Sequence, residues 1–180
     1  IPMDLTQAGA GRKAYTFREP IGPVVAISAF NHPLNLIAHQ VGPAVASGCP
    51  VLVKPAKDTP LSCKSFVEIL YEAGLNENWC RFVPCSDEVA EKMVTDPRTA
   101  FFSFIGSARV GWMLRSKLAP GTRLALEHGG AAPIIVDDSV AHAKVIPPLL
   151  KGGFYHSGQV CVSVQRVFVP RAELPDFAAE

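Results

Sequence analysis

Apolar residues along this chain fall into short unbroken runs that alternate with longer stretches of helical spacing. Val24-Val25-Ala26-Ile27-Ser28, after the turn signal Pro20-Ile21-Gly22-Pro23, is a β-branched run of the kind that forms a buried strand. The spacing from Ile37 to Ala46 is helical, and Gly48 closes it. The unit then repeats. Val51-Leu52-Val53-Lys54 reads as a second strand, and Leu61, Phe66, Ile69 and Leu70 mark a helix over 60–73 that Gly74 stops. Arg81 to Pro84 is a third expected strand, 87–94 a short helix, Ala100 to Ile105 a fourth strand, 108–118 a helix, and Arg123 to Glu127 a fifth strand. Strands alternating with helices at this spacing predict an α/β fold, a parallel sheet with helices on both faces.

The flanks read differently. Residues 1–18 are mixed and polar, with Ala14-Tyr15-Thr16-Phe17-Arg18 expected as an edge strand. After Gly129-Gly130 a new apolar run, Ala131 to Asp138, predicts a further strand, 139–153 a helix, and Val162 to Val169 a strand by its alternation. The chain therefore divides into 1–18, 19–128 and 129–180, with the two glycines letting it cross from one domain to the next. The chain does not begin with Met and ends in what reads as a helix start, the expectation for a piece of a longer protein.

Composition narrows the function classes. With 48% hydrophobic and 18% charged residues among 180, the chain is long enough and apolar enough for a substantial core. Seventeen Lys and Arg against 16 Asp and Glu leave no electrostatic footprint for nucleic acid or an anionic membrane. No apolar run reaches the roughly 18 residues a spanning helix needs, and the expected setting is the cytoplasm. Cys49, Cys63, Cys80, Cys85 and Cys161 are odd in number and irregular in spacing, which predicts no metal site and free thiols, a Cys80–Cys85 pair being the other possibility.

The candidate chemistry lies at strand ends. Gly153 to Gln159 is too polar and glycine-rich for the middle of a strand, so Cys161 is expected where a loop enters one. A cysteine is by default a small buried hydrophobe. Here its loop and an upstream carboxylate, Glu127, at the end of an apolar run supply a nucleophile and a base. Ligands of parallel sheets bind outside the carboxyl ends of the strands, where Asn31, Lys54, Gly106-Ser107 and Glu127 should converge. Gly106-Ser107 before a helix offers free backbone N–H groups to a diphosphate, although a GxGxxG fingerprint is absent. Each has an ordinary alternative: Asn31 a turn residue, Glu127 a surface or capping carboxylate, Lys54 a solvated strand end.

Six motifs in order resemble the aldehyde dehydrogenase superfamily over nearly the whole chain. They are Arg18-Glu19-Pro20-Ile21-Gly22-Pro23-Val24, Phe30-Asn31-His32-Pro33-Leu34, Gly48-Cys49-Pro50-Val51-Leu52-Val53-Lys54-Pro55-Ala56, Phe104-Ile105-Gly106-Ser107-Ala108-Arg109-Val110-Gly111, Leu126-Glu127-His128-Gly129-Gly130 and Gly158-Gln159-Val160-Cys161. The resemblance implies a Rossmann-like dinucleotide-binding domain over 19–128 and the start of a catalytic domain over 129–180. It implies oxidation of an aldehyde to a carboxylic acid with NAD or NADP. Cys161 would be the nucleophile, forming a thiohemiacetal and then a thioester, Asn31 with the Cys161 N–H the oxyanion hole, and Glu127 the base for deacylation. An ordinary cysteine is only a few per cent thiolate at pH 7 yet intrinsically very nucleophilic. Removing one oxyanion donor typically costs about 100- to 1000-fold in rate.

By the same resemblance Ile27, Ser28, Phe30, Asn31, Lys54, Ala56, Lys57, Gly106, Ser107, Val110, Glu127, His128 and Gly129 form the cofactor site. Lys57 stands where relatives that prefer NAD commonly carry a glutamate, and a cation there faces a 2′-phosphate better than ribose hydroxyls. His128 replaces an apolar residue and either reshapes the pocket or packs. The family's second cofactor carboxylate has no counterpart here. Homo-oligomerisation, as dimer or tetramer, is implied through the arm near residues 10–18. Two other readings stay open: a dinucleotide-binding module without catalysis, and a thiol hydrolase using Cys161 with His156 and Asn31.

Overall fold

The computed structural model describes residues 1–180. Its elements in chain order are β1 (Val24–Ile27), α1 (Pro33–Ala46), β2 (Val51–Lys54), α2 (Pro60–Glu72), β3 (Cys80–Phe82), α3 (Asp87–Thr95), β4 (Phe101–Ile105), α4 (Ala108–Arg115), β5 (Arg123–Glu127), β6 (Pro133–Ile135), α5 (His142–Phe154), β7 (Arg166–Phe168) and α6 (Leu174–Ala179). The first five strands make one all-parallel sheet in the order β3-β2-β1-β4-β5, and β6 and β7 pair as a separate parallel ribbon.

Alternation along the strands sends side chains to both faces. Val24 and Ala26 join Val51, Val53, Ile37, Val41, Cys63 and Val67 in one apolar cluster under α1 and α2. Val25 joins Phe102, Phe104, Val94 and Leu114 in a second, under α3 and α4. The central strands are therefore buried on both faces, which is why they read as unbroken apolar runs. Helix ends follow local chemistry. Pro33 and Pro60 open α1 and α2, where a missing N–H costs nothing. Gly74, at φ +95°, ends α2 while Leu75 N–H donates to Leu70 O at 2.9 Å. Ser86 caps α3, its hydroxyl accepting from Val89 N–H at 3.4 Å.

Several boundaries differ from those expected. α1 begins at Pro33 rather than Ile37, which draws Asn35 and Leu36 into the helix. The expected edge strand at Ala14–Arg18 does not form: the stretch is irregular, and Tyr15 and Phe17 are exposed. A strand needs a neighbour to complete its hydrogen bonds, and the sheet's edges are β3 and β5. The strand expected over 162–169 contracts to β7, so Cys161 lies in a turn before it rather than at its entrance. The strand expected over 131–138 likewise contracts to β6. All five cysteines are free thiols, and no helix is long and apolar enough to cross a membrane.

Candidate active site

The sheet reverses its winding direction between β1 and β4. Chain order runs outward from β1 through β2 to β3 on one side and from β4 to β5 on the other. Such a switch point opens a crevice beyond the carboxyl ends of the two strands. A cavity of about 840 Å3 lies there, lined from β1–α1 by Phe30, Asn31 and His32, from β4 by Gly106 and Ser107, from the β5 end by Glu127, His128 and Gly129, and from the last loop by Gln159, Val160 and Cys161.

Asn31 stands in the loop between β1 and α1, and its Nδ2 donates to the Gln159 carbonyl at 2.8 Å. This ties the end of the first parallel unit to the loop carrying the thiol. A carboxamide has two N–H donors, so one stays available to the cavity that Cys161 also lines. That loop bends through His156, Ser157 and Gly158 at φ +53°, +56° and +72°, a region in which the first two, having side chains, are strained. It is closed by Ser163, a buried residue whose N–H donates to Val160 O and whose hydroxyl donates to Gly158 O, both at 3.0 Å. Val164 N–H donates to Gly152 O at 3.1 Å, and Gln165 N–H to Ala131 O at 3.1 Å, pinning the loop to α5 and to the strand leading into β6. Cys161 itself is exposed. His156 stacks on His32, ring centroids 4.9 Å apart.

Glu127 ends β5 in register with Ile105, and its carbonyl accepts from Gly106 N–H at 3.0 Å. The two strand ends that frame the crevice are thus clamped together. Gly130 lies close against the Cys161 main chain: a Cβ there would stand 3.2 Å from the Cys161 carbonyl oxygen. His128 turns under the cavity, edge-on to Phe104 and Trp112 at 6.0 and 5.4 Å between centroids. Gly111 makes room for it, since a Cβ at that position would lie 2.1 Å from His128 Nε2. This histidine both packs and lines the cavity, and it leaves a buried nitrogen without a partner.

Of the residues expected around a cofactor, Phe30, Asn31, Gly106, Ser107, Glu127, His128 and Gly129 line this cavity. Ile27 and Val110 pack beneath it against the second core cluster. Ser28 is buried, with its N–H on Lys54 O at 3.0 Å and its hydroxyl unpartnered. Lys54, at the end of β2, and Lys57 are not among the cavity's lining and are gathered by Asp87: Lys57 donates to Oδ2 at 2.8 Å, and buried Lys54 stands 3.7 Å from Oδ1. The Lys57 hydrogen bond holds the Asp87 carboxyl below its usual range, and Asp87 in turn raises Lys57. Ala56 is half-buried, its carbonyl accepting from Thr59 N–H at 3.3 Å.

The lining also includes His32, Asn35, Leu36, His39 and Gln40, which the sequence reading left out of the site. Continuing the helical spacing from Pro33 finds them, because residues three and four apart share a face. Gln40 bridges the switch point, donating to Ile27 O, Ser103 O and Ser103 Oγ at 3.2, 3.2 and 3.0 Å, while its own oxygen is buried without a partner.

The model of the aldehyde dehydrogenase family matches residues 2–180. A 3-sulfolactaldehyde dehydrogenase of Priestia megaterium is 35% identical over 170 residues, covering 94% of this chain and 35% of that protein. The crystal structure of aldehyde dehydrogenase 21 from Physcomitrella patens in complex with the reaction product succinate superposes with a TM-score of 0.85 at 37% identity, over 99% of this chain and 37% of that one. A glyceraldehyde-3-phosphate dehydrogenase from Methanocaldococcus jannaschii complexed with NADP gives 0.83 at 34% identity, over 91% and 37%. The chain spans about a third of the length of the curated relatives it matches.

Proposed function

Because this chain belongs to the aldehyde dehydrogenase family, we propose that its protein oxidises an aldehyde to a carboxylic acid with NAD or NADP, through covalent catalysis at Cys161. The observation that carries the reading is the gathering of Asn31, Glu127 and Cys161 on one cavity at the switch point of the sheet. In this reading the Cys161 sulfur attacks the aldehyde carbon, and the developing oxyanion is received by Asn31 Nδ2–H and the Cys161 N–H. The dinucleotide, when bound, accepts the hydride. The acyl group left on sulfur is then released by water, from which Glu127 removes a proton.

The residues present fit a dinucleotide. α4 opens after Gly106-Ser107 with no side-chain cap and no acid in its first turn, a suitable seat for a diphosphate. Gln40, which lines the cavity, keeps a buried Oε1 without a partner at the switch point. Lys54 and Lys57 are assigned to the adenosine ribose, where their shared carboxylate, Asp87, competes with any phosphate for Lys57. The same reading divides the chain at Gly129-Gly130, with the cofactor on the 19–128 side and the nucleophile on the other.

The test is rapid-mixing absorbance of reduced nicotinamide with the full-length natural protein, either cofactor and a panel of short aldehydes. A burst is expected in wild type, none in Cys161→Ala, and a burst followed by slow turnover in Glu127→Gln. A folded protein that binds nucleotide yet reduces none with any aldehyde would sink the reading.

A further inference from the structure

The nucleophile loop holds a conformation that its own sequence does not favour. His156 and Ser157 sit at φ +53°, ψ +40° and φ +56°, ψ +28°, a left-handed region that a residue with a Cβ keeps only when its surroundings impose it. The loop's own hydrogen bonds impose part of it. Ser163 donates to Gly158 O and Val160 O, Val164 N–H to Gly152 O and Gln165 N–H to Ala131 O. All of these bind the loop to the 129–180 part of the chain, where only Val136 and Ser163 are buried. Two side-chain ties come from the other part, both from the turn between β1 and α1. Asn31 Nδ2 donates to Gln159 O at 2.8 Å. The His32 ring stacks on that of His156, centroids 4.9 Å apart and planes 33° from parallel, and Tyr155 continues the row at 6.0 Å from His156.

We propose that His32 is a positioning residue: its ring, stacked on His156, fixes the left-handed turn that keeps Cys161 on the cavity wall facing Asn31. This rests on the covalent catalysis at Cys161 proposed above and adds the residue that sets the thiol's place. Three observations carry it. The stack meets the loop at His156, the first of its strained residues, and its spacing lies within the range of about 4.5–7 Å at which ring pairs attract. The ring stands on a firm base. Leu36 N–H donates to His32 O at 2.9 Å at the start of α1, a helix whose Ile37, Val41 and Ala44 are buried, and His32 makes no side-chain cap bond that would give its ring another task there. The two ties also differ in what catalysis asks of them. Asn31 is the donor for the oxyanion, so its bond to Gln159 draws on the carboxamide that the substrate needs. The His32 ring engages no reacting group, and its hold on the loop persists through the reaction.

The experiment follows the reduced-nicotinamide burst in the full-length natural protein at saturating nucleotide and aldehyde, and beside it amide exchange of the peptide spanning residues 155–161, read by mass spectrometry. His32→Ala removes the stack, and His32→Phe keeps a ring in its place. His156→Asn removes the stack from the loop side with a residue that tolerates the left-handed region. His32→Ala and His156→Asn are each expected to slow the burst and to raise loop exchange by about 3- to 10-fold, the range an aromatic pair supports. Nucleotide affinity and the exchange of β1, β2 and β4 should stay at wild-type values, and His32→Phe should recover both losses. The double variant should be no slower than either single one, because both remove the same contact. Additive losses, a loss in His32→Phe equal to that in His32→Ala, or loop exchange unchanged in His32→Ala would each overturn the proposal. A wild type that binds nucleotide and shows no burst would sink the oxidation instead, and the exchange comparison would still decide whether the stack holds the loop.

Discussion

β1 and β2 and the β6–β7 ribbon are both parallel pairs of short β-branched strands, yet they are buried to opposite degrees. In the first pair Val24, Val25, Ala26, Val51 and Val53 are almost wholly inside, covered by helices on both faces. In the second, Ile135 is 83% and Phe168 53% exposed, and α5 buries no residue. Only Val136 and Ser163 are buried beyond Gly130. The wall of the cavity made by the β1 and β4 ends therefore rests on a core, whereas the wall carrying the thiol is held chiefly by main-chain hydrogen bonds and the Asn31–Gln159 tie. Local opening costs least where few apolar contacts must break. Within residues 1–180, the apolar core and the nucleophile loop thus lie in different parts of the chain.

The cysteines expose this contrast most sharply. Burial pushes the Cys63 and Cys80 thiols up to about 12 and about 11, leaving almost no thiolate near neutrality, while Cys161 is open to solvent. Iodoacetamide at pH 8 is expected to label Cys161 at least about 100-fold faster than either buried thiol, which reacts only on unfolding. Comparable rates, read by peptide mass spectrometry, would remove the distinction.

Core truncation should divide the two regions by stability. Phe102→Ala, at a fully buried side chain, should cost about 3–5 kcal/mol in chemical denaturation, and Ile135→Ala no more than about 0.5 kcal/mol. A smaller effect is expected where the regions meet. Gly111→Ala drives a methyl against His128 and should cost about 1–3 kcal/mol by overpacking. Adding His128→Ala should return much of that, a coupling that a double-mutant cycle measures.

The least effect comes from the His142–Glu173 pair at the outer end, 3.0 Å apart. The hydrogen bond to Glu173 raises the His142 pKa. A raised imidazole pKa contributes stability that is fully present below its unfolded value, about 6.5, and is lost as pH rises through the folded value. Protection factors of the α6 amides, which remove the intrinsic rise of exchange with pH, should therefore fall slightly between acid and neutral pH in wild type and lose that dependence in Glu173→Gln.

Legibility in the sequence followed the same divide. The five strands of the main sheet could be read because a strand buried on both faces must be apolar throughout, and because Gly48, Gly74 and the Pro residues opening α1 and α2 mark the helix ends. The Ala14–Arg18 strand and the long strand after Cys161 were over-read because alternation describes a capacity to pair, and pairing needs a neighbour at the right place. The polar stripe of α1 is not legible in the sequence because His32 and Asn35 stand beside Pro33, ahead of the apolar spacing that marks the helix from Ile37.

The residue order by itself determined the alternating parallel architecture, its cores and the residue types at each strand end, since these depend on local spacing and on which side chains leave water. Only the tertiary structure decided which of those ends share a cavity. Asn31, Glu127 and Cys161 meet there while Lys54 and Lys57 turn to Asp87. His128 goes under the cavity because Gly111 leaves it room. Strand order and helix placement set these distances, and they arise from packing between segments far apart in the chain.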